Sequence, residues 1–290
     1  MGNFSVGLAL GGGGVRGLSH LGVIQALHKE NIMISHISGT SIGSLLGAMY
    51  AYSQDPDWIK NRFLSFSKNK NLISSFEEQF GKINNESETM LFDYYLFKVK
   101  ENHFLNNQVK PEYLIPKKFL KEIINYMLPI NSFEDLAIPL FVSVSDINNN
   151  EEIIYEKGDL IEAVVQSSSV PGYFEPTLKG DKVLVDGGVI NPIPISLINN
   201  HCKFVIAVDV SNKNMPLLRN KSMLDISKRA ENTSKLYLSK ALGHKADILI
   251  EPDGFGLHWA EMGMFEDLVE SGFESLMSKI DNINIKLERN

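Results

Sequence analysis

The chain has 290 residues, 43% hydrophobic and 22% charged, with 28 Lys and Arg against 35 Asp and Glu for a formal net charge of −7. That composition is globular rather than disordered or fibrous, and a negative balance with no basic block argues against a nucleic-acid partner. The lone cysteine, Cys202, can form no internal disulfide and no zinc-ligand pair.

No apolar run approaches the roughly 18 residues that a membrane span requires, and the opening MGNFSVGLAL lacks the charged region and cleavage site of a secretory signal. Gly2 is a myristoylation cue, but Val6 stands where that motif needs Ser or Thr. The expected location is therefore cytoplasmic or peripheral to a membrane, with any lipid contact made locally, by apolar groups, from the aqueous side.

Residues 5–10 read as a buried strand ending in the glycine run 11–14, and residues 17–30 carry Leu18, Leu21, Ile24 and Leu27 at helical spacing. A second strand at 32–38 and a helix at 41–53 follow, the latter marked by Ile42, Leu45, Leu46, Met49 and Tyr50 on one face. Residues 58–133 change character, rich in Asn, Lys, Glu and aromatics such as Phe63, Phe66, Phe76, Phe80, Phe92, Tyr94, Tyr95 and Phe97, and read as an inserted, mostly helical cap. Its aromatics fit an acyl-chain tunnel, an interfacial surface or an ordinary subdomain core equally.

Strands are expected again at 139–145, 151–155, 183–185, 205–210 and 248–250, and helices at 159–166, 222–242 and 261–280. This alternation predicts one α/β domain over residues 1–290 with a mainly parallel sheet, the insert included.

Chemistry concentrates at three places. Gly11-Gly12-Gly13-Gly14-Val15-Arg16-Gly17 closes a strand and opens a helix, where unobstructed N–H groups can face a negative oxygen. Gly12, Gly14 and Gly17 also satisfy a dinucleotide fingerprint, but that reading needs an acidic residue at the end of the second strand, where Ser38-Gly39-Thr40-Ser41 stands. Gly39-Thr40-Ser41-Ile42-Gly43 fits the nucleophile elbow between strand and helix, the plainer alternative being that Ser41 or Thr40 caps the helix.

A serine hydroxyl needs a proton acceptor. The histidines His20, His28, His36, His103, His201, His244 and His258 occupy no compelling setting. Asp186 ends a strand before Gly187-Gly188, a position equally suited to an ordinary turn, and would become a competent base if buried.

Together these motifs resemble the patatin-like phospholipase family. Gly12-Gly13-Gly14-Val15-Arg16-Gly17 is similar to its oxyanion loop, Gly39 to Gly43 to its serine motif and Asp186-Gly187-Gly188 to its Asp-Gly-Gly motif, with softer matches at 167–174 and at Asn191-Pro192. The resemblance implies a three-layer α/β/α fold and calcium-independent cleavage of lipid acyl esters, with no cofactor or metal. Ser41 is then the nucleophile, Asp186 the base, and Gly12, Gly13 and Gly14 the oxyanion donors. Arg16 serves as loop scaffold or as a partner for lipid phosphate, and Gly17, Gly39, Gly43, Gly187 and Gly188 support the motifs. The competing readings are an α/β-hydrolase esterase with His244 or His258 completing a triad, and a phosphate- or nucleotide-binding protein without catalysis.

Overall fold

In a computed structural model that describes residues 5–75, 113, 115–215, 217–218, 222–257 and 263–289, eight strands form one sheet. They are β1 (Val6–Leu10), β2 (Ile34–Thr40), β3 (Leu140–Asp146), β4 (Glu151–Tyr155), β5 (Thr177–Lys179), β6 (Lys182–Asp186), β7 (Phe204–Val208) and β8 (Ile248–Ile250). The order is β5-β6-β3-β2-β1-β7-β8, with β4 also paired to β3. The run β3-β2-β1-β7-β8 is parallel, whereas β4, β5 and β6 join antiparallel.

The helices are α1 (Ser19–Lys29), α2 (Ile42–Ser53), α3 (Pro56–Lys68), α4 (Lys117–Met127), α5 (Leu160–Ser167), α6 (Met223–Gly243), α7 (Phe265–Met277) and α8 (Ile280–Arg289). The connection β1-α1-β2 moves one way along the sheet and β7-α6-β8 the other. Right-handed crossovers therefore put α1 and α6 on opposite faces, which makes three layers. Side chains divide accordingly: Leu8, Leu10, Ile206 and Val208 join the large core with α1, α2 and α5, while Ala9, Val205 and Ala207 pack against Ile193, Ile195 and Ile198 on the other side. The direction of winding reverses at β1, so the glycine loop leaves the sheet where open α/β folds form their crevice.

Expected and observed elements agree to within a few residues, with three differences, one being that the helix expected over 261–280 is followed by a second, α8, which was not expected. Residues 14–18 form a 3-10 turn before α1, because the loop must tighten before an α-helix can begin. The short strand β5 was absent from the expectation; it pairs with β6 across a turn at Gly180, whose φ of +64° suits glycine. The expected insert is helical at its two ends, in α3 and α4, with Phe66 buried and Phe63 packed against the core. Phe76, Phe80, Phe92, Tyr94, Tyr95 and Phe97 lie outside the described residues. Cys202 is half-buried, lying against Gly7 of β1.

Candidate active site

The site is a meeting of two strand ends. β4 pairs with β3 from Val142 to Asp146, so β2 and β6 must share the other edge of β3. β2 runs along that edge until Thr40 faces Ser143, and β6 runs the opposite way until Asp186 faces Val144. Ser41 and Asp186 thus leave the sheet beside consecutive residues of β3, roughly 3.4 Å apart along a strand.

Ser41 has φ 56° and ψ −127°, a backbone region costing a non-glycine residue about 1–3 kcal/mol. The surroundings hold it there. Its N–H donates to Ser167 Oγ at 2.9 Å, and the Ser167 hydroxyl donates to the Ser143 carbonyl at 2.7 Å. The Ser44 N–H and hydroxyl both donate to the Ser41 carbonyl, at 2.8 and 2.6 Å. Close passage of chain requires glycine on either side: a Cβ at Gly39 would lie 2.5 Å from Ser44 Cα, and one at Gly43 would lie 2.2 Å from the Leu10 carbonyl oxygen. The Ser41 hydroxyl makes no helix-capping bond, so the capping alternative fails for Ser41; its resolved electrostatic effect is on the Asp186 carboxyl, whose proton affinity it lowers.

Asp186 is only 3% exposed. Its N–H donates to the Ser169 carbonyl at 2.9 Å, and Oδ1 accepts the Gly188 N–H at 2.7 Å. Burial raises the carboxyl above its ordinary value, and the Lys235 charge, the Ser41 hydroxyl and the Gly188 N–H oppose that rise without cancelling it. Gly187 is sterically required, since a Cβ there would meet the Ser143 carbonyl oxygen at 2.2 Å; one at Gly188 would meet only side-chain ends, Asp186 Oδ1 and Lys235 Nζ, each at 2.9 Å.

The glycine loop lies against Ser41, with the Cβ position of Gly12 3.2 Å from Ser41 Cβ. Gly12, expected as an oxyanion donor, spends its N–H on the Pro192 carbonyl at 3.0 Å, just as Gly11 does on Val208. Gly13 and Gly14 open the 3-10 turn, and their N–H groups carry no hydrogen bond among the described residues. Of the two roles expected for Arg16, the geometry matches the scaffold. Arg16 is 8% exposed, and its Nε and Nη1 donate to the carbonyls of Val210 and Leu257 at 3.0 and 2.8 Å. Burial lowers its pKa to about 10 against the pull of Asp209. Gly17 gives room for Ile42, which a Cβ would meet at 2.2 Å.

A family model described as Patatin-like phospholipase matches residues 8–198. The chain belongs to the patatin-like phospholipase family. Lysophospholipase NTE1 of Debaryomyces hansenii is 33% identical over 211 residues, covering 72% of this chain and 12% of that protein. Patatin-like phospholipase domain-containing protein 6 of Mus musculus is 28% identical over 216 residues, covering 72% of this chain and 14% of its own length. The chain therefore spans about an eighth of the curated relatives it matches. The crystal structure of VipD from Legionella pneumophila shares the fold, with a TM-score of 0.52 at 15% identity over 96% of this chain and 67% of that one.

In this member of the patatin-like phospholipase family, no histidine among the described residues is a partner of Asp186. His20 is fully buried and held neutral, its pKa pushed down to about 4, with Nε2 2.8 Å from the Gly11 carbonyl. His36 stacks on His201 at 5.3 Å between ring centroids, and His28 and His244 are exposed. His103 and His258 lie outside the described residues. Nor is the dinucleotide reading supported: β2 ends at Thr40, whose hydroxyl donates to the Asn191 carbonyl at 2.8 Å. Among the described residues no helix is long and apolar enough to cross a membrane.

Sequence reasoning missed two contributions. The serines of 167–169 resembled a family segment but had no assigned task; Ser167 braces Ser41 and Ser169 braces Asp186, so one segment positions both. Lys235 on α6 had no distinguishing signal, being one lysine among several in its helix.

Proposed function

We propose that the chain is a serine acyl hydrolase of lipid esters, of the phospholipase A or lysophospholipase kind, working through Ser41 and Asp186. The observation that carries this reading is the strained Ser41, whose hydroxyl is spared from capping and acts on the buried Asp186 carboxyl, which has no histidine partner among the described residues. Ser41 Oγ attacks the ester carbonyl as its proton passes to Asp186. Gly13 and Gly14 donate to the oxyanion, with Gly12 holding the loop against Pro192. Collapse expels the alcohol, which takes the proton from Asp186 and leaves an acyl-Ser41 ester. A water molecule then attacks that ester while Asp186 accepts its proton, releasing the fatty acid and restoring Ser41.

Burial suits Asp186 to this work, because raising its proton affinity brings it closer to the alkoxide it must help create. The name lysophospholipase printed for the Debaryomyces hansenii relative supports a phospholipid-derived ester as substrate. We place residues 58–133 within the same catalytic domain.

A fluorophosphonate probe followed by peptide mapping tests the reading. Labelling is expected on Ser41 alone, absent from Ser41→Ala, with ester turnover unchanged by a chelator. Labelling at another serine, or turnover abolished by chelation, would reject it.

A further inference from the structure

Lys235 is the cation nearest the reacting groups for which an electrostatic effect on Asp186 is resolved. Its Nζ and Asp186 Oδ1 both stand 2.9 Å from the point where a Gly188 Cβ would be, so they are separated by no more than twice that distance. They form no ion pair, and Lys235 has no hydrogen bond among the described residues. The Lys235 side chain is part-buried, but its Nζ is not among the buried polar atoms that lack a partner, so the ammonium is open to solvent and an anionic ligand can reach it. One turn pair earlier on α6, Lys228 lies over the Tyr173 ring at 5.5 Å and donates to the Tyr173 hydroxyl at 3.3 Å. Both lysines therefore line the inner side of the same helix beside the Ser41 site. Arg16, the other cation considered for an anionic ligand, is committed to two carbonyls.

Resting on the function proposed above, we propose that Lys235 binds the phosphate of a phospholipid substrate, making this site selective for phosphate-bearing acyl esters over uncharged glycerides. The ammonium and the Ser41 hydroxyl both act on the one Asp186 carboxyl, beside which Lys235 Nζ stands, so a substrate whose ester carbonyl is at Ser41 can bring its phosphodiester to Lys235. Phosphate supplies the acceptor oxygens and negative charge that this group lacks. Lys235 lies beyond residue 198, outside the part of the chain that the family model matches.

The test compares kcat/KM for 1-palmitoyl-lysophosphatidylcholine and 1-monopalmitoylglycerol in the full chain, in Lys235→Met and in Lys235→Arg. Loss of the charge acts on Asp186 with both substrates, so the readout is their ratio. The ratio is expected to fall about tenfold or more in K235M, the size of one charge-assisted hydrogen bond, and to be largely kept in K235R. Glycerophosphocholine is expected to inhibit p-nitrophenyl butyrate hydrolysis competitively, and less so in K235M. An unchanged ratio in K235M overturns the proposal, as does inorganic phosphate inhibiting as strongly as glycerophosphocholine, which would indicate a free-anion site. Fluorophosphonate labelling and p-nitrophenyl butyrate turnover by the unmodified chain report on Ser41 separately. Their absence defeats the hydrolase reading and this proposal together, whereas their presence with an unchanged ratio defeats this proposal alone.

Discussion

Replacing Asp186 with Asn should abolish turnover and raise stability at neutral pH. The carboxyl is 3% exposed and its proton affinity is raised, burial outweighing the opposing effects of Lys235, Ser41 and Gly188. At pH 7 the group is ionised in the unfolded chain at no cost, while the native state bears the desolvation. A folded-state pKa above the unfolded one adds stability only at low pH, and that contribution is lost as pH rises through the folded value. Asn keeps the volume and the oxygen that accepts the Gly188 N–H. Each unit by which the carboxyl is raised corresponds to about 1.4 kcal/mol, or roughly 2 °C in the midpoint of a chain of this size. Thermal unfolding of both proteins between pH 4 and pH 8 checks this: Asp186→Asn should melt higher at pH 8, with the gain shrinking on acidification as the wild-type carboxyl takes up its proton. A variant that melts lower at pH 8, or a gain that does not depend on pH, would show that the buried charge is not a destabilising feature.

Two further substitutions probe the supports of the site. Gly43→Ala places a Cβ against the backbone oxygens of Leu10 and Gly11, at 2.2 and 2.8 Å, which no side-chain rotation can relieve; urea titration should show a loss of about 3 kcal/mol or more, and a loss below about 0.5 kcal/mol would mean the elbow can open without cost. Arg16→Met strips donors from the buried-loop carbonyls of Val210 and Leu257, with an expected cost of about 2–4 kcal/mol. Because Arg16 acts through the loop rather than on substrate, kcat should fall more than KM rises; a change confined to KM would instead place it at the headgroup.

The elements that could be read from sequence were those with a local signal. β1, β7 and β8 are short apolar runs, and α2 carries its core residues at helical spacing. The serine elbow was legible because its glycines answer to steric demands made within a few residues, Gly39 against Ser44 and Gly43 against Leu10. The status of the Gly12 N–H was not legible, since its acceptor, Pro192, comes from the far side of the sheet. Ser167 was unreadable for the same reason: its value lies in bridging Ser41 to Ser143, and neither contact leaves a trace in spacing. Lys235 is the extreme case, a solvating residue type on a helix whose inner face is defined only by the fold.

The depth of the site follows from the strand that delivers the base. A wholly parallel sheet presents the C-terminal ends of its strands along one rim, where a carboxylate is hydrated. Here β6 enters antiparallel and stops opposite Val144, two residues short of the end of β3, while β2 stops one residue earlier on the same edge. The two chain ends leave a notch below the rim, closed by the 167–169 segment and by the glycine loop. Asp186 is dry because it sits in that notch, and its proton affinity rises because it is dry. The same placement that makes one carboxylate an adequate base without imidazole leaves the native state carrying a costly buried charge. Catalytic competence and the stability gain expected of Asp186→Asn are therefore two consequences of one strand direction.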